Sequence, residues 1–170
     1  MVNDIGYSFS EVLCCLRRTD KFEAIREVVT HCSIFQDLED LPGFIEAVIR
    51  REKIETTGIG RGVAIAHGKL KSIGSVKVGL GISAEGIEFN SADGRPVHLL
   101  FVIGSSPFRQ IEYLRALASI MRFVKMTDIR DELIRHTDLD FSHEENVSCL
   151  RFLQMMATQH FAEYMNARII

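Results

Sequence analysis

His67 ends a short apolar run, Val63-Ala64-Ile65-Ala66, and is followed at once by Gly68. Imidazole titrates near ~6.5, so at neutral pH much of it is uncharged and nucleophilic, which suits it to accept a phosphoryl group and pass it on. A core histidine with both nitrogens hydrogen-bonded would fit the same place. If the ring is reachable, phosphoryl transfer asks little of the protein beyond position and charge stabilisation: a cation at the phosphoryl oxygens and backbone N–H groups from a turn. Arg51 precedes the run, and its planar guanidinium holds two oxygens at once, which an ammonium cannot do. Between the two lie Thr57, Gly58, Gly60 and Gly62. These glycines, with Gly68 after the ring, allow a tight turn to bring backbone close to a neighbour. They form the candidate phosphate-side loop.

Other chemistries find less support. Gly58-Ile59-Gly60-Arg61-Gly62 lacks the third glycine at dinucleotide-binding spacing and leads into a strand instead of a helix, and it is not a Walker A loop. His31, His98, His136, His143 and His160 are scattered, with no H-E-x-x-H and no Cys/His cluster of ligand spacing, so no metal site and no cofactor is expected. Ser105-Ser106-Pro107 is not the nucleophile elbow of a serine hydrolase. His98, inside the strand pattern P-V-H-L-L-F-V-I, is expected to be half-buried and structural, unless the strand carries it towards another site.

The elements that must hold these residues can be read from periodicity. Val12 to Leu16 suggests a strand, and Asp20-x-x-Glu23 resembles a capping box opening a helix with Phe22, Ile25, Val28, Val29 and Cys32 on its core face. Pro42, after Asp40 and Leu41, marks the start of a second helix with Phe44, Ile45, Val48 and Ile49 inward, which places Arg50 and Arg51 near its C-terminus. From Gly62 to Gly104 the period becomes strand-like: GVAIAH, SVKVGLGI, GIEFN, an Asp93-Gly94 turn and PVHLLFVIG. The last run is apolar on both faces, which predicts an interior strand covered on two sides and hence an α/β fold, a three-layer α/β/α sandwich. A helix follows over Arg109 to Met126, with Ile111, Leu114, Leu117, Ala118 and Met121 expected on its buried stripe. A shorter helical pattern covers Asp128 to His136, and a third helix is expected over residues 143–165 after a Ser142-x-x-Glu145 cap. Methionines and aromatics in that last segment suit core filling, with a homodimer surface as the alternative.

The totals fit one globular domain over residues 1–170, with 46% hydrophobic and 25% charged residues. A net charge of −3 gives no electrostatic reason to bind nucleic acid or an anionic membrane. No window approaches a membrane span and the N-terminus does not read as a secretory signal, so a cytoplasmic protein is expected. Cys14, Cys15, Cys32 and Cys149 show no C-x-x-C spacing and are expected to be reduced and mostly buried.

The stretch from Arg51-Glu52 through TTGIGRGVAIAHGK resembles the signature of the type 2 enzyme IIA domains of the bacterial phosphotransferase system, the fructose, mannitol and nitrogen-regulatory family. The similarity continues through A-D-G-R-P-V at Ala92 to Val97, the HLLFVI strand and the Y-L-R-A-L-A-S-I helix, covering roughly Val12 to Arg135. The resemblance implies an α/β sandwich around a small mixed sheet, with His67 taking phosphate through Nε2 from the phosphocarrier HPr and Arg51 as the family arginine. Such a protein is a phosphohistidine relay and not a turnover enzyme on a small substrate. Two positions depart from the pattern. Ala66 stands where the family usually has proline, so the turn before the histidine is expected to lose a fixed φ. Tyr113 stands where many members have a second histidine; a phenol can hydrogen-bond a phosphoryl oxygen or orient a ring but does not become a cation.

The wording of the loop is closer to the nitrogen-regulatory type, in which the phospho-state is a signal read by a regulated target protein. A subunit delivering phosphate to a fructose- or mannitol-type IIB domain is the alternative. A binding module of the same fold without phosphorylation is a third reading, motivated by Ala66 and Tyr113.

Overall fold

The computed structural model describes residues 12–125 together with Asp131. The helical patterns expected over Asp128 to His136 and over 143–165, the homodimer surface, Cys149, His136, His143 and His160 lie outside the described residues.

Strand β1 (Leu13–Leu16) leads to helix α1 (Lys21–His31), a 3-10 turn at Ser33–Phe35 and helix α2 (Leu41–Ile54). Strands β2 (Gly58–Gly60), β3 (Val63–Lys69), β4 (Lys77–Ile87) and β5 (Val97–Ser105) follow, then helix α3 (Gln110–Lys125). The strands form one five-stranded mixed sheet in the order β1-β4-β5-β3-β2. β1 runs parallel to β4 and β3 parallel to β5, while β4–β5 and β2–β3 are antiparallel.

The apolar run at Val97 to Ile103 is the central strand, as its two apolar faces require. Alternation along β3 and β5 divides the core in two. Val63, Ile65, Leu99, Phe101 and Ile103 face α3, where Phe101 meets Phe123 edge-on at 6.0 Å between ring centres. Ala64, Ala66, Leu100 and Val102 face α1 and α2, with Ile25, Val28, Phe44 and Val48. The α/β/α sandwich therefore follows from helices on both faces of a buried sheet.

Helix α1 opens on Asp20, whose Oδ1 accepts from the N–H groups of Phe22 and Glu23, each at 3.0 Å. This is the Asp20 half of the expected box; Glu23 turns instead to Arg26, at 3.6 Å. Losing such a cap costs about 1 kcal/mol. Asp20→Ala is expected to lower unfolding free energy by that amount in chemical denaturation, and an unchanged midpoint would remove the cap from the stability account. In α2, Asp40 caps the Gly43 N–H at 2.9 Å and Pro42 occupies the second helical position, where its missing N–H leaves no bond unmade.

Three expectations are corrected. SVKVGLGI and GIEFN are not separate strands: β4 runs through to Ile87, with its register to β5 shifted between Ile82 and Ile87. Gly86 at φ +87° makes the kink, and its N–H is taken by Ser83 Oγ at 3.0 Å. The buried face of α3 is Tyr113, Ala116, Ile120, Phe123 and Val124, whereas Ile111, Leu114 and Ala118 are exposed and Leu117 and Met121 only flank the core. Both faces of this helix carry apolar residues, and the partner Phe101 selects the one with Phe123. Third, Cys15 is exposed on the face of β1 opposite Cys14, while Cys32 is buried.

Candidate functional site

His67 continues the odd-numbered series of β3, so its half-buried side chain lies on the α3 side of the sheet, in register with Ile103 of β5. Its Nδ1 is 3.2 Å from the carbonyl oxygen of Ile65. A carbonyl only accepts, so in the neutral ring Nδ1 carries the proton and donates it there, which leaves the Nε2 lone pair unprotonated. Desolvation lowers the ring's pKa below its ordinary 6.5, and the positive charges of Arg51 and Lys69 act in the same direction. The Ile65 carbonyl and the Glu52 carboxylate oppose them. The balance keeps the imidazole neutral at physiological pH.

Tyr113, in the first turn of α3, stacks obliquely on this ring, 5.7 Å between centres at 50°. Its phenol is held protonated, burial raising its pKa against the pull of Arg51. Lys69, two residues beyond His67 and on the same face, sets its ammonium 4.9 Å from the Tyr113 ring centre. The same Nζ donates to Gln110 Oε1 at 2.7 Å. Arg51, in the last turn of α2, donates from Nη1 to the Glu55 carbonyl at 3.0 Å, a contact that ties the guanidinium to its own helix end. Arg51, His67 and Tyr113, far apart in the chain, thus come within electrostatic reach of one another.

The glycine segment is placed differently. Gly58 to Gly60 form the edge strand β2, and Gly60, Arg61 and Gly62, with φ of +88°, +56° and +78°, make the tight turn into β3. At about 3.3 Å per residue, that turn lies four to five residues down the strand from His67, so Gly60 and Gly62 do not meet the ring. Asp93 holds this turn instead, accepting from Arg61 N–H at 2.8 Å. Thr57 lies nearer: its carbonyl accepts from Ile65 N–H at 3.1 Å. Gly68 sits against α2, where an added Cβ would lie 2.9 Å from the Val48 backbone nitrogen. His98 hydrogen-bonds through Nδ1 to Ser83 O at 2.8 Å and starts the strand that reaches His67's level only at Ile103, so the sheet keeps the two histidines apart.

Ala66 is not in a turn. It is fully buried inside β3, paired with Val102, so the strand and not a proline ring fixes its backbone. Among the described residues, no group of three or more histidine, cysteine or acidic side chains is arranged to hold a metal. Lys69 and Glu52 are the residues that the sequence reading left without a role. Period-2 alternation from His67 signals the first; the second depends on a contact to Thr57 that only the folded chain makes.

A neutral ring with one free lone pair, flanked by two cations and a phenol, can accept an anionic electrophile at Nε2. The family described as "Phosphoenolpyruvate-dependent sugar phosphotransferase system, EIIA 2" matches residues 10–143. A nitrogen regulatory protein of Bradyrhizobium diazoefficiens is 33% identical over 125 residues, 72% of this chain and 79% of that protein. A fructose-specific EIIABC component of Bacillus subtilis is 33% identical over 115 residues, 68% of this chain but 18% of that longer protein. Among solved structures, the nitrogen regulatory protein IIA-Ntr of Neisseria meningitidis superposes with a TM-score of 0.65 at 24% identity, over 75% of this chain and 86% of that one. IIA mannitol of Escherichia coli gives 0.62 at 18% identity, over 85% and 97%. The length of the family match, together with the fold, shows that this chain belongs to the EIIA type 2 family of the phosphoenolpyruvate-dependent sugar phosphotransferase system.

Proposed function

We propose that the protein is a phosphoryl-accepting regulatory member of this family, phosphorylated on His67 by phospho-HPr and acting on a target protein through its phospho-state. The observation that carries this reading is the Nδ1 contact to Ile65, which leaves Nε2 as the nucleophile. In the step, the Nε2 lone pair forms a bond to phosphorus as the donor's N–P bond breaks, and that bond pair returns to the donor imidazole. The new phosphoimidazolium keeps its Nδ1 proton on the Ile65 carbonyl. Arg51 and Lys69 supply the charge that offsets the phosphoryl oxygens. Phe108, Ile111 and Leu114, neighbours of Gln110 and Tyr113 in the chain, are 75%, 65% and 51% exposed, apolar surface suited to a transient protein partner.

The regulatory reading over the sugar-transport one draws on the nitrogen regulatory relative of Bradyrhizobium diazoefficiens, which this chain matches over 79% of that protein's length. Passage of phosphate to a IIB domain is the second reading, favoured by the fructose-specific relative and by a structural neighbour whose IIA is in complex with phosphorylated IIB. Incubation with enzyme I, HPr and phosphoenolpyruvate tests both: intact mass should show one acid-labile phosphoryl group. Retention on addition of a IIB domain supports the regulatory reading, and rapid loss supports the transport one. No uptake from a cognate HPr would overturn both and leave a binding module.

Arg51 carries its own prediction. Arg51→Lys keeps the charge and loses the fork, so one charge-assisted hydrogen bond of about 1.5 kcal/mol disappears from the transfer step and uptake slows about tenfold. Melting should stay near that of the wild type. An equally fast lysine variant would take Arg51 out of the mechanism.

A further inference from the structure

Glu52 is an unusual residue to find at the end of a helix beside a phosphoryl site: its carboxylate is 0% exposed and negatively charged. Its partners form a set. Oε1 meets Lys21 Nζ at 3.2 Å, and that ammonium also lies over the rings of Phe22 and Phe89, at 5.3 and 5.7 Å. Both carboxylate oxygens accept from Thr57 N–H at 3.1 Å, and Oε2 accepts from the Thr57 hydroxyl as well. Thr57 thus gives both its donors to one buried group, which anchors the residue whose carbonyl faces β3.

That carbonyl is the next link. Thr57 O accepts from Ile65 N–H at 3.1 Å, and Ile65 O accepts from His67 Nδ1 at 3.2 Å. A continuous chain of hydrogen bonds therefore runs from the Glu52 carboxylate through Thr57 and Ile65 to the imidazole. Each step crosses a Cα, so what passes along it is position and not amide polarisation. We propose that Glu52 is a positioning residue for His67, holding the Ile65 carbonyl so that the proton stays on Nδ1 and Nε2 faces the incoming phosphoryl group. The inference deepens the reading of His67 as an Nε2 acceptor and rests on it for its functional meaning. The anchor also explains why the carboxylate is paired with Lys21: unpaired, it would set a negative charge against the phosphoryl oxygens.

The test reads the ring itself. Nitrogen-15 NMR of the His67 imidazole distinguishes the two neutral tautomers, and the wild type should hold the Nδ1–H form. Glu52→Gln cannot offer two acceptor oxygens to Thr57, so the tautomers should mix and phosphoryl uptake should slow about tenfold, the lower end of what loss of an orienting partner costs a metal-bound imidazole. The ring's titration midpoint should also fall, since the Glu52 charge favours the protonated form. If Glu52→Gln does not fold, Thr57→Val decides: it removes the hydroxyl link alone and should move tautomer and uptake in the same direction by less. A folded Glu52→Gln, or failing that Thr57→Val, with an unchanged tautomer would overturn the proposal even if uptake is slower. A tautomer that loosens as expected, in a protein that takes up no phosphoryl group at all, would uphold the positioning and overturn the acceptor role instead.

Discussion

His67→Gln is expected to take up no phosphoryl group from phospho-HPr under conditions that should fully modify the wild type. The amide has no nucleophilic lone pair of comparable basicity, and neither Arg51 nor Lys69 can replace it, since a guanidinium or an ammonium has no lone pair to offer. The fold should not suffer, because the ring is half-buried near the end of β3 and its one hydrogen bond is to a carbonyl two residues away. Stability supplies a second signature. Folding holds the His67 pKa below 6.5, chiefly by desolvation, so the unfolded chain binds the proton more readily than the folded one. The contribution is fully present above pH 6.5 and is lost as pH falls through 6.5 towards the lower folded value. His67→Gln should lack that slope. The uptake rate of the wild type should fall over the same acidic range, as the lone pair becomes protonated, and should be flat above it. Intact mass for uptake and chemical denaturation for stability, across a pH series from about 5 to about 8, check both. Residual uptake in the variant would place the acceptor elsewhere.

Much of this site could be read in the chain because it depends on local rules. Asp20 and Asp40 cap helices as their residue types predict, and the two-faced apolar run at Val97 to Ile103 is central because a strand with no polar face must be covered on both sides. His67 could be singled out because a titratable ring ends an otherwise apolar run. What could not be read depends on partners distant in sequence. The face of α3 is chosen by Phe101 and its neighbours, and the helix offers two apolar stripes one residue apart. The glycines between Thr57 and Val63 look like a phosphate cradle, yet pairing of β2 with β3 turns Gly60 and Gly62 away from His67. Ala66 looks like a weakened turn only while the register with Val102 is unknown. Glu52 reads as the polar neighbour of Arg51 until burial brings Thr57 and Lys21 to it.

Gly68→Val should cost about 3 kcal/mol, at the upper end for overpacking a tight contact, and should impair transfer beyond the loss of folded protein. Gly68 lies in regular strand, so the substitution brings no backbone strain and the cost is steric. A Cβ there would stand 2.8 Å from Val48 Cγ2, 2.9 Å from Val48 N and 3.3 Å from the Ala47 carbonyl carbon. Two of these are backbone atoms of α2, so no rotamer change relieves the clash and the helix itself must move. Gly104 is paired with Gly68 across β5, and a Cβ on it would lie 3.0 Å from Phe44 Cζ. The seat of α2 on the sheet is thus made of two adjacent glycines, which leaves no slack on the neighbouring strand. Arg51 lies three residues beyond Val48, almost one helical turn, and moves with any displacement of the helix. The arginine fork would then be carried off the phosphoryl position while His67 keeps its strand. Gly74→Ala is the control, since nothing lies within 4 Å of the added Cβ. Urea denaturation should separate the two variants by the full amount, and uptake measured well below the melting range should be slow for Gly68→Val alone. If both variants melt together, the glycine does not set the helix against the sheet; if Gly68→Val melts early but transfers normally once folded, the helix does not set Arg51.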